Sequence, residues 1–158
     1  MLTEAKVKIA RTIDNRIKKS IETFVLDCEF FAQAEYTVMQ ILQPDMEENG
    51  GPIHEAEVLQ IRRSTLKEIA TQYQGGRSFI ATLIDLWVDD NGNEKKLRYK
   101  VLLWAEDLSE ATDRARQLQR EGYDMLIEGV KEVNYTYIPN VQDNFAPRDN
   151  NATAQTQD

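Results

Sequence analysis

Residues 24–42 read FVLDCEFFAQAEYTVMQIL and residues 101–119 read VLLWAEDLSEATDRARQLQ. At this offset of 77, Phe31, Ala34, Val38 and Ile41 fall on Leu108, Ala111, Ala115 and Leu118, and each set is spaced as one face of a helix. Apolar triplets precede both helices, Phe24-Val25-Leu26 and Val101-Leu102-Leu103, and Cys28 stands where Ala105 stands. The chain reads as one unit written twice. The shared positions are core positions and no candidate catalytic residue repeats, so the pattern predicts a building part rather than an enzyme.

Strands frame the helices. Ala5, Val7 and Ile9 alternate with Lys6 and Lys8, the period of a strand with one wet face, and the chain turns at Ile13-Asp14-Asn15-Arg16 to return through Ile17, Ile21 and Phe24. The first helix, over Phe31–Leu42, ends before Pro44 and is followed by an acidic loop from Asp45 to Pro52. A third strand is predicted over Glu55–Arg63 and a short helix over Thr65–Tyr73, with a break at Gly75-Gly76. In the second half, Phe79–Val88 and Lys95–Trp104 flank Asp89-Asp90-Asn91-Gly92-Asn93, whose Asn-Gly supplies positive-φ turn chemistry. Asp107 and Glu110 predict a capping box for a helix over Leu108–Glu121, closed by Gly122, and a last strand runs from Met125 to Ile138. The expected fold class is α+β: tandem strand-strand-helix-strand units with antiparallel sheets at 1–74 and 75–139, then a polar extended tail over 140–158. Phe145 is the only large apolar residue of that tail, which is too polar to offset its own ordering entropy.

At 158 residues the chain holds one medium body or two small ones. The net charge of −8 argues against general nucleic-acid binding, since phosphate contacts need a basic surface. One cysteine excludes an internal disulfide, and one histidine leaves the usual zinc sets incomplete, so no cofactor or metal is expected. Cys28, at a strand end among apolar residues, reads as a small core residue. No run approaches the roughly 18 apolar residues that span a bilayer, and no secretion signal opens the chain, so a soluble protein made in a cytoplasm is expected, with no membrane partner.

Candidate chemistry is sparse. His54 lacks a neighbouring nucleophile, and the acidic clusters at Asp45–Glu48 and Asp89–Asp90 lack the alternating spacing of a calcium loop. Gly75-Gly76-Arg77-Ser78 lacks the Lys-Ser/Thr ending of a phosphate loop and precedes a strand rather than a helix. The main basic set is Lys95, Lys96, Arg98 and Lys100, in which Arg98 and Lys100 leave one sheet face together while Tyr99 takes the other. With Phe145, these residues are the candidate partner-binding positions. Trp87 and Trp104, in the two strands of one hairpin, are expected in the core.

The segments Thr3–Ile9, Leu26–Glu35 and Phe79–Leu83, with Lys95-Lys96 and Tyr99–Ala105, resemble a family of small two-repeat proteins from Bacteroidetes and their phages, a domain of unknown function. The likeness spans residues 3–138 and departs from the family at Phe30, where a small polar helix cap is usual. It carries over no catalytic residue. Phage carriage implies a non-enzymatic structural component of a tailed-phage virion, a connector, ring or tail-associated protein made in the bacterial host cytoplasm. Its partners would then be copies of itself and other virion proteins. The alternative is an intracellular phage or mobile-element protein acting on nucleic acid or its enzymes.

Overall fold

Alternating apolar and polar residues make the first hairpin, in which β1 (Leu2–Ile13) and β2 (Arg16–Asp27) pair antiparallel from Leu2 opposite Asp27 to Ile13 opposite Arg16. The expected turn is there. Asp14 and Asn15 have φ of 52° and 64°, the left-handed pair that a two-residue hairpin turn requires and that Asp and Asn tolerate. The computed structural model describes residues 1–120 and 125–141.

Helix α1 (Phe31–Leu42) starts at Phe30, whose side chain has no acceptor for the free amides of the first turn. Gln33 instead reaches back to the residues just before the helix, its Oε1 accepting from the N–H of Glu29 at 3.2 Å and of Phe30 at 3.4 Å. The helix buries Ala34, Thr37, Val38 and Leu42. Phe31 and Ile41, expected in the core, are 44% and 40% exposed. Ala34, Val38 and Leu42 recur every four residues and make the seam, which leaves Phe31 and Ile41 at its margins. Two short 3₁₀ turns, Gln43–Asp45 and Glu47–Asn49, lead into β3 (Ile53–Arg63), which pairs antiparallel with β1.

The helix expected over Thr65–Tyr73 is a strand and loop. β4 (Leu66–Ile69) runs parallel beside β6, and beyond it the Ala70 N–H donates to the Leu102 carbonyl at 2.8 Å and the Trp104 N–H to the Tyr73 carbonyl at 3.0 Å. Ladder bonds to a neighbouring strand override the local helical pattern. β5 (Arg77–Val88) and β6 (Glu94–Ala105) form the second hairpin, where Asp89 Oδ1 accepts from the N–H of Asn91 and Asn93 and Gly92 takes φ of 83°. Gly76, at φ of 86°, enters β5 so close to β6 that a Cβ would lie 2.6 Å from the Ala105 carbonyl oxygen.

Helix α2 (Leu108–Arg120) opens as the sequence predicts. Asp107 Oδ1 accepts from the Glu110 N–H at 2.9 Å, and the Glu110 carboxylate reaches back to the Glu106 N–H at 2.9 Å. Ala111, Ala115 and Leu118 are buried, whereas Leu108, in the first turn, is 54% exposed. The expected end at Glu121 and cap at Gly122 lie outside the described residues.

The single strand expected over Met125–Ile138 is two. β7 (Leu126–Val133) pairs antiparallel with β5, and β8 (Tyr135–Ile138) joins the first sheet. Ser78 marks the break, its hydroxyl donating to the Val133 carbonyl at 2.7 Å and accepting from the Tyr135 N–H at 3.0 Å. The sheets therefore run β3-β1-β2-β8 and β4-β6-β5-β7 and are mostly antiparallel, in an α+β fold.

Two compact units result among the described residues, one holding Met1–Ser64 with 136–141, the other the described part of Thr65–Tyr135. Residues 65–74 and 136–139 thus group with the opposite halves from those expected, because each half's last strand belongs to the other sheet. In the first unit Val7, Ile9, Phe24 and Leu26 pack with Ala34 and Val38; in the second Phe79, Leu83, Val101 and Leu103 pack with Ala115 and Leu118. Cys28 is buried and free, as its context predicts. Trp104 is buried, but Trp87, expected in the core, is 45% exposed opposite Lys95 near the hairpin's turn. No described helix is long and apolar enough to cross a membrane.

Replacing Leu118 with Asp places an unpaired charge in the second core and should remove about 4 kcal/mol or more of a stability on the order of 5–15 kcal/mol. Trp87→Ser should cost about 1 kcal/mol or less. Urea unfolding midpoints check both, and equal losses would contradict this placement of the two side chains.

Candidate functional site

The pleat of the second sheet separates its two faces. Phe79, Ala81, Leu83, Val101 and Leu103 belong to the core cluster with α2, so Thr82, Ile84, Arg98 and Lys100 leave the opposite face. Register brings Thr82 opposite both Lys100 on β6 and Gly129 on β7, and Ile84 opposite Arg98. A shift in the β5–β7 register between Thr82 and Leu83 leaves Glu128 without a partner on β5.

Glu128 reaches across β5 to β6. Its carboxylate takes Arg98 Nε at 3.0 Å and Nη2 at 3.3 Å, a two-pronged ion pair, with Lys96 Nζ 3.5 Å away. The bond from Arg98 holds the Glu128 carboxyl below the usual carboxylate range, opposed by desolvation and aided by the charges of Arg98 and Lys96. Arg98 is raised in turn, chiefly by the same bond. The pair forms one wall of a groove of about 300 Å³ whose lining includes Thr82, Lys100, Gly129 and Lys131. Among the described residues neither Lys100 nor Lys131 has an ion-pair partner. Two unpaired ammonium groups and a hydroxyl beside a glycine that brings no side chain suit an anionic group such as a carboxylate.

The expected basic set is brought together only in part. Lys96 and Arg98 share Glu128, and Lys100 lines the groove, but Lys95 takes the other face and pairs with Asp89 at 3.7 Å. Phe145 lies outside the described residues. Lys131, Thr82 and Glu128 were not legible as site residues, since strand pairing across about 30 residues brings them to Arg98 and Lys100.

His54 borders a second depression, of about 380 Å³, with Met46, Glu47 and Glu48. Its Nδ1 is 2.7 Å from Glu47 Oε2, and no serine or cysteine among the described residues lines the depression. Among the described residues no group of three or more His, Cys, Asp or Glu side chains is placed to hold a metal ion.

Residues 2–141 match the family model described as Domain of unknown function (DUF4494), and the chain belongs to that family. No curated protein and no solved structure matches the chain.

Because the folded state depresses the Glu128 carboxyl, its contribution to stability is present above the ordinary carboxylate range and is lost as pH falls through the depressed value. An NMR titration should find Glu128 ionising below the usual range for a glutamate, and Arg98→Ala should move it back up. A Glu128 midpoint that Arg98→Ala leaves unchanged would contradict the pairing.

Proposed function

We propose that the protein is a non-enzymatic assembly component that works by protein–protein contact, as a connector, ring or tail-associated part of a tailed-phage virion. The observation that carries the assembly reading is a basic groove on an acidic chain. Lys100 and Lys131 have no ion-pair partner among the described residues at one groove while the whole chain carries −8, and Asp45, Glu47 and Glu48 are exposed on the 3₁₀ turns of the other unit. A basic patch in one place and an acidic one in another make a heterologous pairing between identical copies, and such pairings close into rings when the rotation allows. Placement in a phage particle, formed in a bacterial host cytoplasm, rests on the resemblance to proteins of Bacteroidetes and their phages.

The same reading takes the two halves as copies of one strand-strand-helix-strand-strand unit. What supports it is the shared element order and the shared offset of the helices, together with the position of each exchanged strand, which lies beside the second strand of the other half.

Solution mass tests the assembly reading. The 18.2 kDa chain should sediment above monomer mass at low salt and dissociate as salt rises, and Lys100→Glu with Lys131→Glu should weaken association by on the order of tenfold. A monomer at all concentrations would overturn it. Salt-sensitive retention on nucleic acid, lost in the same double variant, would favour the intracellular nucleic-acid reading. Absence of the protein from purified particles of a phage that encodes it would overturn the virion placement.

A further inference from the structure

We propose that Glu128 decides what the groove on the second sheet accepts, by keeping a phosphate chain out of it, an inference that rests on reading the groove as a contact for an acidic protein surface. Lys96, Arg98 and Lys100 leave one face of β6 at every second residue, about 6.8 Å apart. Lys131 of β7, opposite Ile80 on β5, adds a fourth cation to the same face. Three cations in a row with a fourth beside them make a track that a single nucleic-acid strand, with one charge per nucleotide, can follow.

Glu128 interrupts that track. It is the only carboxylate among the described residues that line the groove. The shift in the β5–β7 register makes it an extra residue in its strand, and a bulge re-aims the side chain it carries. From there the carboxylate crosses β5, accepts two bonds from Arg98 and stands 3.5 Å from Lys96 Nζ. Two of the four cations are thereby answered by an anion of the chain itself, and a phosphate brought to them meets that anion as well. Lys100 and Lys131 stay open to a guest.

Position matters here, not net charge. Glu132 lies on the same strand but opposite Phe79, on the other face of the sheet, and pairs with Arg77 at 3.7 Å. Removing either carboxylate changes the charge of the chain equally, yet only Glu128 stands among the groove's cations. Both Arg98 and Glu128 are exposed, so solvent screens their pair and its contribution to folding is modest, whereas the field at the groove depends on it directly.

The test measures binding of the full chain to fluorescein-labelled oligothymidine over a range of salt concentrations, with urea midpoints to confirm that each variant is folded. The unsubstituted chain should bind weakly, log K falling against log salt with a slope of about −1.4, the value for two phosphate contacts. Glu128→Gln keeps the size of the side chain and should raise affinity about tenfold at physiological salt, with a slope of about −2.8 for four contacts. Glu132→Gln should leave affinity within about twofold and the slope unchanged. Adding Lys100→Gln and Lys131→Gln to Glu128→Gln should return the slope to about −1.4. An unsubstituted chain that binds as tightly as Glu128→Gln, or equal gains from Glu128→Gln and Glu132→Gln, would overturn the proposal. No gain in a folded Glu128→Gln chain that still self-associates would overturn it and leave the assembly reading standing. The expected gain in a chain that is monomeric at every concentration would uphold the exclusion of phosphate by Glu128 and overturn the assembly reading.

Discussion

The backbone hydrogen bonds made by β4 and β8 decide the rest of the architecture. β4 follows the first helix-containing segment but adds to β6 in the second sheet, and β8 follows the second but closes the first sheet beside β2. Neither half of the chain therefore completes its own four-stranded sheet. Joining Tyr135–Ile138 to β2 also closes a loop of more than 100 residues, an entropic cost that the strand's pairing and the burial of Ile138 in the first core must offset. Units of this size are marginal alone, and the exchange gives each sheet the fourth strand it needs.

Helix seating follows from small residues. Ala34 in α1 and Ala111 and Ala115 in α2 are fully buried, so each helix backbone comes close to its sheet, and Val38 and Leu118 fill the remaining space. Arginines then tie the elements at their ends. Arg63 donates to the carbonyls of Cys28 and Glu29 and lies 4.9 Å from the Phe31 ring centroid, which accounts for a large apolar side chain left at the margin of the core. Arg114 donates to the Trp104 carbonyl and lies 5.2 Å from the Tyr73 ring centroid. These contacts tie α1 and α2 to the strands and loops beside them.

The groove on the second sheet shows how a structural ion pair shapes a surface. By spanning β5, Arg98 and Glu128 satisfy one another and remove one cation from the basic set, leaving Lys100 and Lys131 as the cations at the groove without an ion-pair partner among the described residues. The surface is thus basic at a point rather than along a stripe. Continuous phosphate tracking wants a stripe, whereas a local anionic contact wants a point.

The sequence by itself determined what local chemistry controls. Asp14-Asn15 and Asn91-Gly92 tolerate positive φ, so both hairpins were legible; Asp107 and Glu110 announced the start of α2; the apolar context of Cys28 announced its burial. The face shared by Arg98 and Lys100 was legible too, because the strand period is two. Tertiary structure decided what depends on distant partners. Leu66–Ile69 became a strand only because β6 offered an open edge, Tyr135–Ile138 changed sheets only because β2 did, and Trp87 was left exposed while Trp104 was buried in the same hairpin. Lys131 and Glu128 joined the site through a register set by β5, and Lys95 left it for Asp89. Turns and caps are settled by a residue and its nearest neighbours along the chain, whereas strand partners are settled by whichever edge remains unpaired once the rest has folded.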